Sequence, residues 1–330
     1  MKFKSVILVF RKPSPKYFSI ENIFSELESY FNTKFKTQQY KLKFAGGSPK
    51  TIWNNITSLK KEKNSIYHIT GDVHYLALVT GKHTVLTIHD IGSALQGSFF
   101  KRLYIKLFWF WLPALCVKRI TVISEFTKQE LSKIIPLSKH KIRVVHNPIS
   151  ALYKPKVFNF NEECPTLLCI GTKANKNLDR IFESIKDIPC QLHIIGKLTT
   201  SQLKLLEANA INYNNNYNLS QDEIITAYQN CDILCFPSTY EGFGMPIIEA
   251  QATGRPVITS NIGAMKEIAC DSACLVDPFD SNNIKNSIVK MASDSNYRND
   301  LINKGLKNVK RFQLDTIANQ YINIYKELGL

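Results

Sequence analysis

The chain lacks several features that would each announce a class of protein. No uncharged apolar run reaches the ~18 residues a transmembrane helix requires. The opening stretch MKFKSVILVFRKPSP reads as a strand followed by a basic, proline-containing turn, not as a secretory signal. A cytoplasmic protein is expected, peripheral on the inner face of a membrane if it meets one. The eight cysteines include no C-x-x-C pair, and the Cys231/Cys235 and Cys270/Cys274 pairs have no neighbouring histidines. Neither a zinc site nor a disulfide framework is therefore expected, and buried reduced thiols fit the apolar runs in which most of them sit. No D-x-D occurs anywhere. That absence removes the common acidic pair for presenting a divalent metal to phosphate, and chemistry without a metal or other cofactor is favoured. Internal repeats are missing, and low complexity is confined to Asn214–Asn216.

Acid is scarce in one half. Residues 1–160 carry 26 Lys+Arg against 8 Asp+Glu, a balance of +18, whereas residues 161–330 carry 16 against 19, a balance of −3; together they give the formal +15. A basic half implies an anionic partner: a phospholipid surface, a phosphorylated substrate or nucleic acid. No nucleic-acid-binding motif is present, and nucleic acid is not an expected partner.

What is present is ordinary globular material, 44% hydrophobic and 21% charged over 330 residues, a length that suits two domains of roughly 150 to 170 residues. Short apolar runs alternate with helical periodicity. In the first half they predict strands at Ser5–Phe10, near Lys41–Phe44, and at Ser65–Ile69, Thr84–Ile88, Arg119–Ser124 and Ile142–His146. Helices lie between them, one of them a 3.6-periodic set Ile20, Ile23, Phe24, Leu27, Phe31 that Ser19 could cap. Periodicity fades over 151–164. A second set follows at Thr166–Ile170, Gln191–Ile195, Ala210–Tyr213, the run before Pro237, Pro256–Thr259 and Ala273–Val276, with an asparagine-rich loop at 214–216. The fold class is α/β: two doubly wound, Rossmann-like domains facing a cleft. The expected boundaries are an N-terminal domain 1–150, a linker 151–164, a C-terminal domain 165–310 and a terminal helix 311–330 that packs back toward the first domain.

Gly97–Lys118 combines seven aromatics with Lys101, Arg102 and Lys106 and no acid. As a helix it suits either a membrane interface or a core helix with a basic rim, and both readings stay open. Pro113 is expected to kink or end it. The stretch with most chemistry is Phe236–Pro256, FPSTYEGFGMPIIEAQATGRP. A buried strand ends at Pro237, Gly242 and Gly244 free a turn, Pro246 suits a first helical turn and Gly254 stops the helix. A helix N-terminus outside the carboxyl end of a parallel sheet is a site for phosphate. Glu249 is expected in that helix's first turn, a carboxylate on an otherwise apolar helix and so a functional candidate.

With CDILCFPSTY before it and GAMKEIACDSACLVDPFD after it, this stretch resembles the donor-binding signature of glycosyltransferase family 4, the retaining group 1 enzymes of GT-B fold. The spacing Glu241-x7-Glu249 matches the family's paired glutamates. TIHD at 87–90, VISEFTKQEL at 122–131, VVHNPIS at 144–150 and GTKANKN at 171–177 follow in the family's order. The resemblance implies roles. Glu249 would bind the ribose hydroxyls of a nucleotide-sugar and Glu241 would lie beside the donor sugar. Backbone N–H groups of Phe243, Gly244 and Met245 would hold sugar or phosphate oxygens. Lys176 would neutralise the diphosphate leaving group, helped by Lys173, one position removed from the family's place, in a loop formed by Gly171 and Thr172. His89 would approach donor sugar and acceptor. Asn214, Asn215 and Gly196 are candidates for the base pocket, and Lys101, Arg102 and Lys106 for membrane contact. The first loop, Arg11–Lys16, departs from the family's glycine-rich turn.

The implied activity is transfer of a sugar from a nucleotide-sugar to the hydroxyl of a saccharide or lipid-linked saccharide, in polysaccharide or lipopolysaccharide assembly. A nucleotide-sugar epimerase is the alternative, and a basic nucleic-acid-binding protein the more remote one. His68, His74 and His146 read as structural, and Glu267 as local helix architecture.

Overall fold

A computed structural model of the chain describes residues 3–13, 19–95 and 97–330. These residues fold as two compact units, one comprising residues up to Pro148 together with Leu314–Leu330, the other Ile149–Gln313. Each is built on a six-stranded parallel sheet. Part of the Arg11–Lys16 loop lies outside the described residues, as does the side chain of Ser19. Ser19 itself is the first residue of the helix Ser19–Phe31.

In the first unit the strands are β1 (Ser5–Phe10), β2 (Lys36–Lys41), β3 (Ser65–Ile69), β4 (Thr84–Ile88), β5 (Arg119–Val122) and β6 (Ile142–Val144). They are ordered β2-β1-β3-β4-β5-β6. β1, β3 and β4 are buried throughout, as a parallel strand covered on both faces must be. β2, KTQQYK, lies five residues earlier than the apolar signal KLKF suggested. It is an edge strand paired with β1 on one side, so backbone bonding, not apolar content, defines it.

The C-terminal helix Leu314–Leu328 belongs to this first unit. It packs on Ser19–Phe31 through Phe31 and Tyr325, ring centroids 5.5 Å apart. A buried polar chain fastens it: Tyr325 Oη lies 2.6 Å from His68 Nδ1, His68 Nε2 2.7 Å from Thr87 Oγ1, and Thr87 Oγ1 2.7 Å from Thr121 Oγ1. Both nitrogens of a fully buried imidazole are thus satisfied, which is the condition for burying it.

The aromatic segment is one helical run that passes through Pro113: α-helical over Phe99–Ile105, π-helical over Lys106–Trp111, and α-helical again over Leu112–Cys116. The proline neither ends nor caps it. Pro113 has no N–H to offer the carbonyl four residues earlier. That carbonyl, Trp109 O, accepts instead from His74 Nδ1 at 2.8 Å. The run ends with Lys141 Nζ donating to the carbonyls of Ala114 and Leu115 at 2.8 and 3.1 Å, a cation on the negative end of a helix.

In the second unit β7 (Thr166–Ile170), β8 (Gln191–Ile195), β9 (Tyr213–Asn216), β10 (Ile233–Phe236), β11 (Val257–Ser260) and β12 (Cys274–Val276) are ordered β12-β11-β10-β7-β8-β9. The asparagine run is not a loop. Asn214–Asn216 form the edge strand β9, three residues later than expected, paired with β8 from Leu192↔Tyr213 to Ile195↔Asn216. Asn215 Nδ2 donates to the carbonyls of Ile194 and Gly196 at 2.9 and 2.7 Å, so the asparagine supplies bonds a less polar residue could not. The helix Gly263–Ala269 contains Glu267, read from the sequence as local helix architecture, but its bounds had no sequence expectation. Residues 151–164, without helix or strand apart from turns, are strapped to this unit by two arginines. Arg255 stacks on Phe158 at 3.6 Å and donates to Lys156 O at 3.0 Å; Arg298 stacks on Phe160 at 3.8 Å and pairs with Glu162 at 2.7 Å.

Burial lowers His68 to about 3 and His74 to about 4, from an ordinary 6.5. The unfolded chain takes up these protons more readily, so the first unit's stability is held above pH 6.5 and lost as pH falls toward 4. Urea unfolding followed by tryptophan fluorescence should show a loss of about 2–4 kcal/mol between pH 7.5 and 5. Trp53, Trp109 and Trp111 all report on this unit.

Candidate active site

In the second unit the chain leaves β10 at Phe236, turns at Pro237 and reaches Glu241. The loop after β7 meets it. Lys176 Nζ lies 2.7 Å from Glu241 Oε1, with both side chains 17% exposed, and 4.6 Å from the centre of the Phe236 ring. Asn175 Nδ2 donates to the same Glu241 oxygen at 3.0 Å and to Tyr240 O at 2.8 Å, while Thr239 N donates to Asn175 O at 2.8 Å. Asn177, at a left-handed φ of 64°, donates to the carbonyls of Pro237 and Pro278. The loop GTKANKN is therefore stitched to the loop after β10 by its own asparagines.

Gly171 makes the ion pair possible. It sits at φ +90°, and a Cβ there would come within 2.8 Å of Lys176 Cε. Only glycine takes this backbone angle without strain and leaves the lysine its channel. Gly196, at φ +140°, is similarly close: a Cβ would meet Thr172 Cγ2 at 2.9 Å. Thr172 donates from Oγ1 to Lys197 O at 2.7 Å, and Gln202 Nε2 donates to Thr172 O at 3.0 Å.

The helix Met245–Ala252 starts beyond Gly244, which holds φ +108°. Met245 opens it, so its N–H has no acceptor within the helix, and the start of the helix carries partial positive charge. Phe243 is anchored by its ring, edge-on to Phe312 at 5.7 Å. Glu249 is the fifth residue of this helix and so sits in its second turn, not its first. There its Oε2 accepts from Tyr228 Oη at 2.6 Å. Burial pushes the Glu249 carboxyl above its ordinary 4.5, opposed by hydrogen bonds from Tyr228 and Tyr153 and by the charge of Lys176. Burial and the Glu249 carboxylate raise Tyr228 well above 10.0. One carboxylate thus faces a lysine and an asparagine, and the other faces two tyrosines.

Glu241, Lys176, Glu249, Phe243, Gly244, Met245, Gly171, Thr172 and Gly196 all belong to this unit, with Asn215 bonded to Gly196. Lys173 and Asn214 are exposed. His89 belongs to the first unit, where Nε2 bonds Thr70 O at 2.8 Å. Lys101 and Arg102 are exposed on Phe99–Ile105, and Lys106, partly buried, begins the π-helical turn. Asn175, Tyr153 and Tyr228 escape a reading of the sequence. Asn175 carries some signal, lying inside GTKANKN; the two tyrosines carry none, since only the fold brings them to Glu249.

Two family models match the chain: one described as Glycosyl transferases group 1, over residues 153–308, and one described as Glycosyltransferase Family 4, over residues 18–151. An uncharacterised glycosyltransferase of Methanocaldococcus jannaschii is 25% identical over 256 residues, 74% of this chain and 68% of that protein. The O-antigen chain mannosyltransferase B of Escherichia coli is 38% identical over 93 residues, 28% of this chain and only 24% of that protein. Among solved structures, Anabaena HepE in complex with UDP and glucose superposes with a TM-score of 0.78 at 13% identity, covering 97% of this chain and 99% of that one. At this identity the likeness shows the fold, which is GT-B.

Gly171→Ala should destabilise the second unit by about 1–3 kcal/mol through its left-handed backbone and the clash with Lys176. Urea unfolding read by hydrogen exchange of β7 and β10 amides measures it.

Proposed function

Because the chain belongs to the group 1, family 4 glycosyltransferases of GT-B fold, we propose that it moves a sugar from a nucleotide-sugar donor to a saccharide hydroxyl with retention at the anomeric carbon. The observation that carries this reading is the Lys176–Glu241 pair at the carboxyl end of β7 and β10. Departure of a nucleoside diphosphate concentrates negative charge on its β-phosphate. In this reading that phosphate draws Lys176 away from Glu241, and the lysine, aided by the N-terminus of Met245–Ala252 and by Lys173, stabilises the charge as it develops. Glu241, released by the lysine and still held by Asn175, lies beside the sugar while positive charge grows at the ring. Front-face attack follows, with the leaving phosphate taking the acceptor's proton. His89, on the first unit, is assigned to the acceptor. Phosphate neutralisation is assigned to Lys176 and the helix end, so no divalent metal is required.

Glu249 binds the ribose. Its helix position and its anchoring by Tyr228 support this, since an oriented carboxylate accepts from two adjacent hydroxyls. Asn215 and Gly196, beside Thr172, mark the base pocket. The acceptor is a saccharide in cell-surface polysaccharide or lipopolysaccharide assembly, a reading supported by the O-antigen mannosyltransferase relative. Peripheral membrane contact is supported by Phe99, Phe100 and Leu103, which are 66%, 80% and 42% exposed on the helix carrying Lys101 and Arg102. Apolar wedges ringed by cations suit an anionic bilayer surface, and no helix among the described residues is long and apolar enough to cross one.

Three outcomes are expected. A nucleoside diphosphate should raise Tm, and Glu249→Gln should erase the preference for ribo- over 2′-deoxyribonucleotide, a change of about tenfold in Kd. Chelation by EDTA should leave sugar transfer unchanged; loss of turnover restored by a divalent cation would refute the metal-free route. Vesicles with anionic lipid should co-sediment the protein, and Lys101→Glu, Arg102→Glu and Lys106→Glu together should abolish this. Equal binding of that variant would exclude the surface assigned here.

A further inference from the structure

Three separate pieces of the second unit converge on Glu249: its own helix Met245–Ala252, the helix Gln221–Asn230 that carries Tyr228, and the segment 151–164 that carries Tyr153. We propose that Tyr153 and Tyr228 form a clamp that makes this carboxylate selective for a vicinal diol, with Arg255 holding the clamp together. The proposal rests on the assignment of Glu249 to the ribose made above, and adds the residues that determine how many hydroxyls it reads.

Lone pairs set the count. An ionised carboxylate offers about four acceptor positions. Tyr228 Oη donates to Glu249 Oε2 at 2.6 Å, the length of a charge-assisted bond. Tyr153 Oη accepts from Gln221 Nε2 at 3.3 Å, which leaves its own proton to donate, and this hydroxyl is the second that bonds Glu249. Two positions are filled and two remain, one for each O–H of a vicinal diol. Tyr153 and Tyr228 are 7% and 0% exposed, whereas Glu249 is only partly buried. The carboxylate is thus held from inside the unit and open on the side the tyrosines do not cover. A ligand with one hydroxyl leaves a lone pair unmet, and a phosphate on either hydroxyl sets a second negative charge against the first. The same bonds keep the carboxylate charged. Burial favours the protonated acid, while both tyrosine hydrogen bonds and the charge of Lys176 oppose it. A protonated carboxyl would put an O–H where the diol needs an acceptor.

One arginine gathers the three pieces. Arg255, 1% exposed, donates from Nη1 to Thr253 O at 3.4 Å, just past the end of the helix of Glu249. The same nitrogen donates to Lys156 O at 3.0 Å, in the segment of Tyr153, and Nη2 donates to Gln229 O, in the helix of Tyr228. Lys156 N completes the set by donating to Thr253 O at 3.4 Å. A planar guanidinium can serve three carbonyls from one buried position, which a lysine cannot. The Tyr153 and Tyr228 rings then meet edge-on with centroids 5.7 Å apart, a contact that fixes the two hydroxyls relative to each other. Tyr153, Tyr228 and Arg255 are positioning residues; the ribose is touched by Glu249.

The test uses the full chain with UDP, GDP and ADP and their 2′-deoxy counterparts, binding being read by calorimetry. Labelling with 13C-glutamate follows the Glu249 carboxyl, identified by the loss of its signal in Glu249→Gln. Tyr153→Phe and Tyr228→Phe keep the rings and remove one donor each. Each should lower the preference for ribo- over 2′-deoxynucleotide about threefold, and the two together should bring it near unity. The carboxyl should titrate above 4.5 in the wild-type chain, at higher pH in each variant and highest in the double variant, and nucleotide affinity should be lost at that same point as pH falls. Gln221→Leu, which keeps both tyrosines but removes the donor that orients Tyr153, should give a smaller change in the same direction. A packing role alone lowers thermal stability and moves neither the preference nor the carboxyl titration; that result in the tyrosine variants overturns the proposal. If the titration shifts as described but no nucleoside diphosphate binds, the glycosyltransferase reading falls while the clamp on the carboxylate stands. If the ribo preference is lost in Glu249→Gln but kept in both tyrosine variants, the clamp alone falls.

Discussion

A lysine and a glutamate 2.7 Å apart set the terms for the second unit. For them to meet, β7 must be followed by a residue with no side chain, the loop there must fold back on itself, and the chain leaving β10 must turn at Pro237 toward it. Gly171, Asn175 and Asn177 supply these conditions. The pair itself is held loosely in energetic terms, since desolvation of two partly buried charges offsets most of their attraction. A diphosphate carries more charge than a carboxylate and brings its own hydrogen-bond acceptors. In the proposed reaction, exchange of Glu241 for phosphate as the lysine's partner would therefore be inexpensive, and it would free the carboxylate from the lysine as positive charge grows on the sugar. Glu249 is the contrast. Held by tyrosines on a rigid helix, it is built to stay in place.

The first unit solves a different problem, how to bury polar groups without orphaning them. His68 is fully enclosed because Tyr325 and Thr87 take both of its nitrogens, and Tyr325 arrives from the last helix of the chain. His74 is enclosed because Trp109 O takes its Nδ1. In each case a residue distant in sequence completes a hydrogen bond, and the histidine's ionisation and tautomer follow from that bond. Electrostatics here is a consequence of topology.

The sequence was most legible where burial on two faces leaves a continuous apolar run, as in SVILVF and TVLTI, and where glycine and proline must punctuate a turn, as from Gly242 to Pro246. Glu241, Glu249 and Lys176 could be named from spacing and resemblance. The edge strands KTQQYK and YNNN were misplaced because an edge strand needs little hydrophobic surface and is defined by backbone pairing that no local pattern encodes. The helix Gly263–Ala269 is short and begins with glycine, so beyond the helical reading of Glu267 its bounds carried little local signal. Tyr153 and Tyr228 gave no signal, because a tyrosine on an apolar helix face and another in an unpatterned segment are distinguished only by the carboxylate the fold places between them. Pro113 was visible, but its effect falls on a carbonyl four residues away and on a histidine from another element.

In the proposed reaction Lys176 acts on the leaving group more than on the bound donor. Steady-state kinetics of Lys176→Ala with the nucleotide-sugar identified by thermal shift tests this directly. The expected result is a kcat lower by about 100-fold, the cost of removing one group aimed at developing charge, with a donor KM changed by no more than a few-fold. A kcat that stays at the wild-type level, whatever happens to KM, would contradict it.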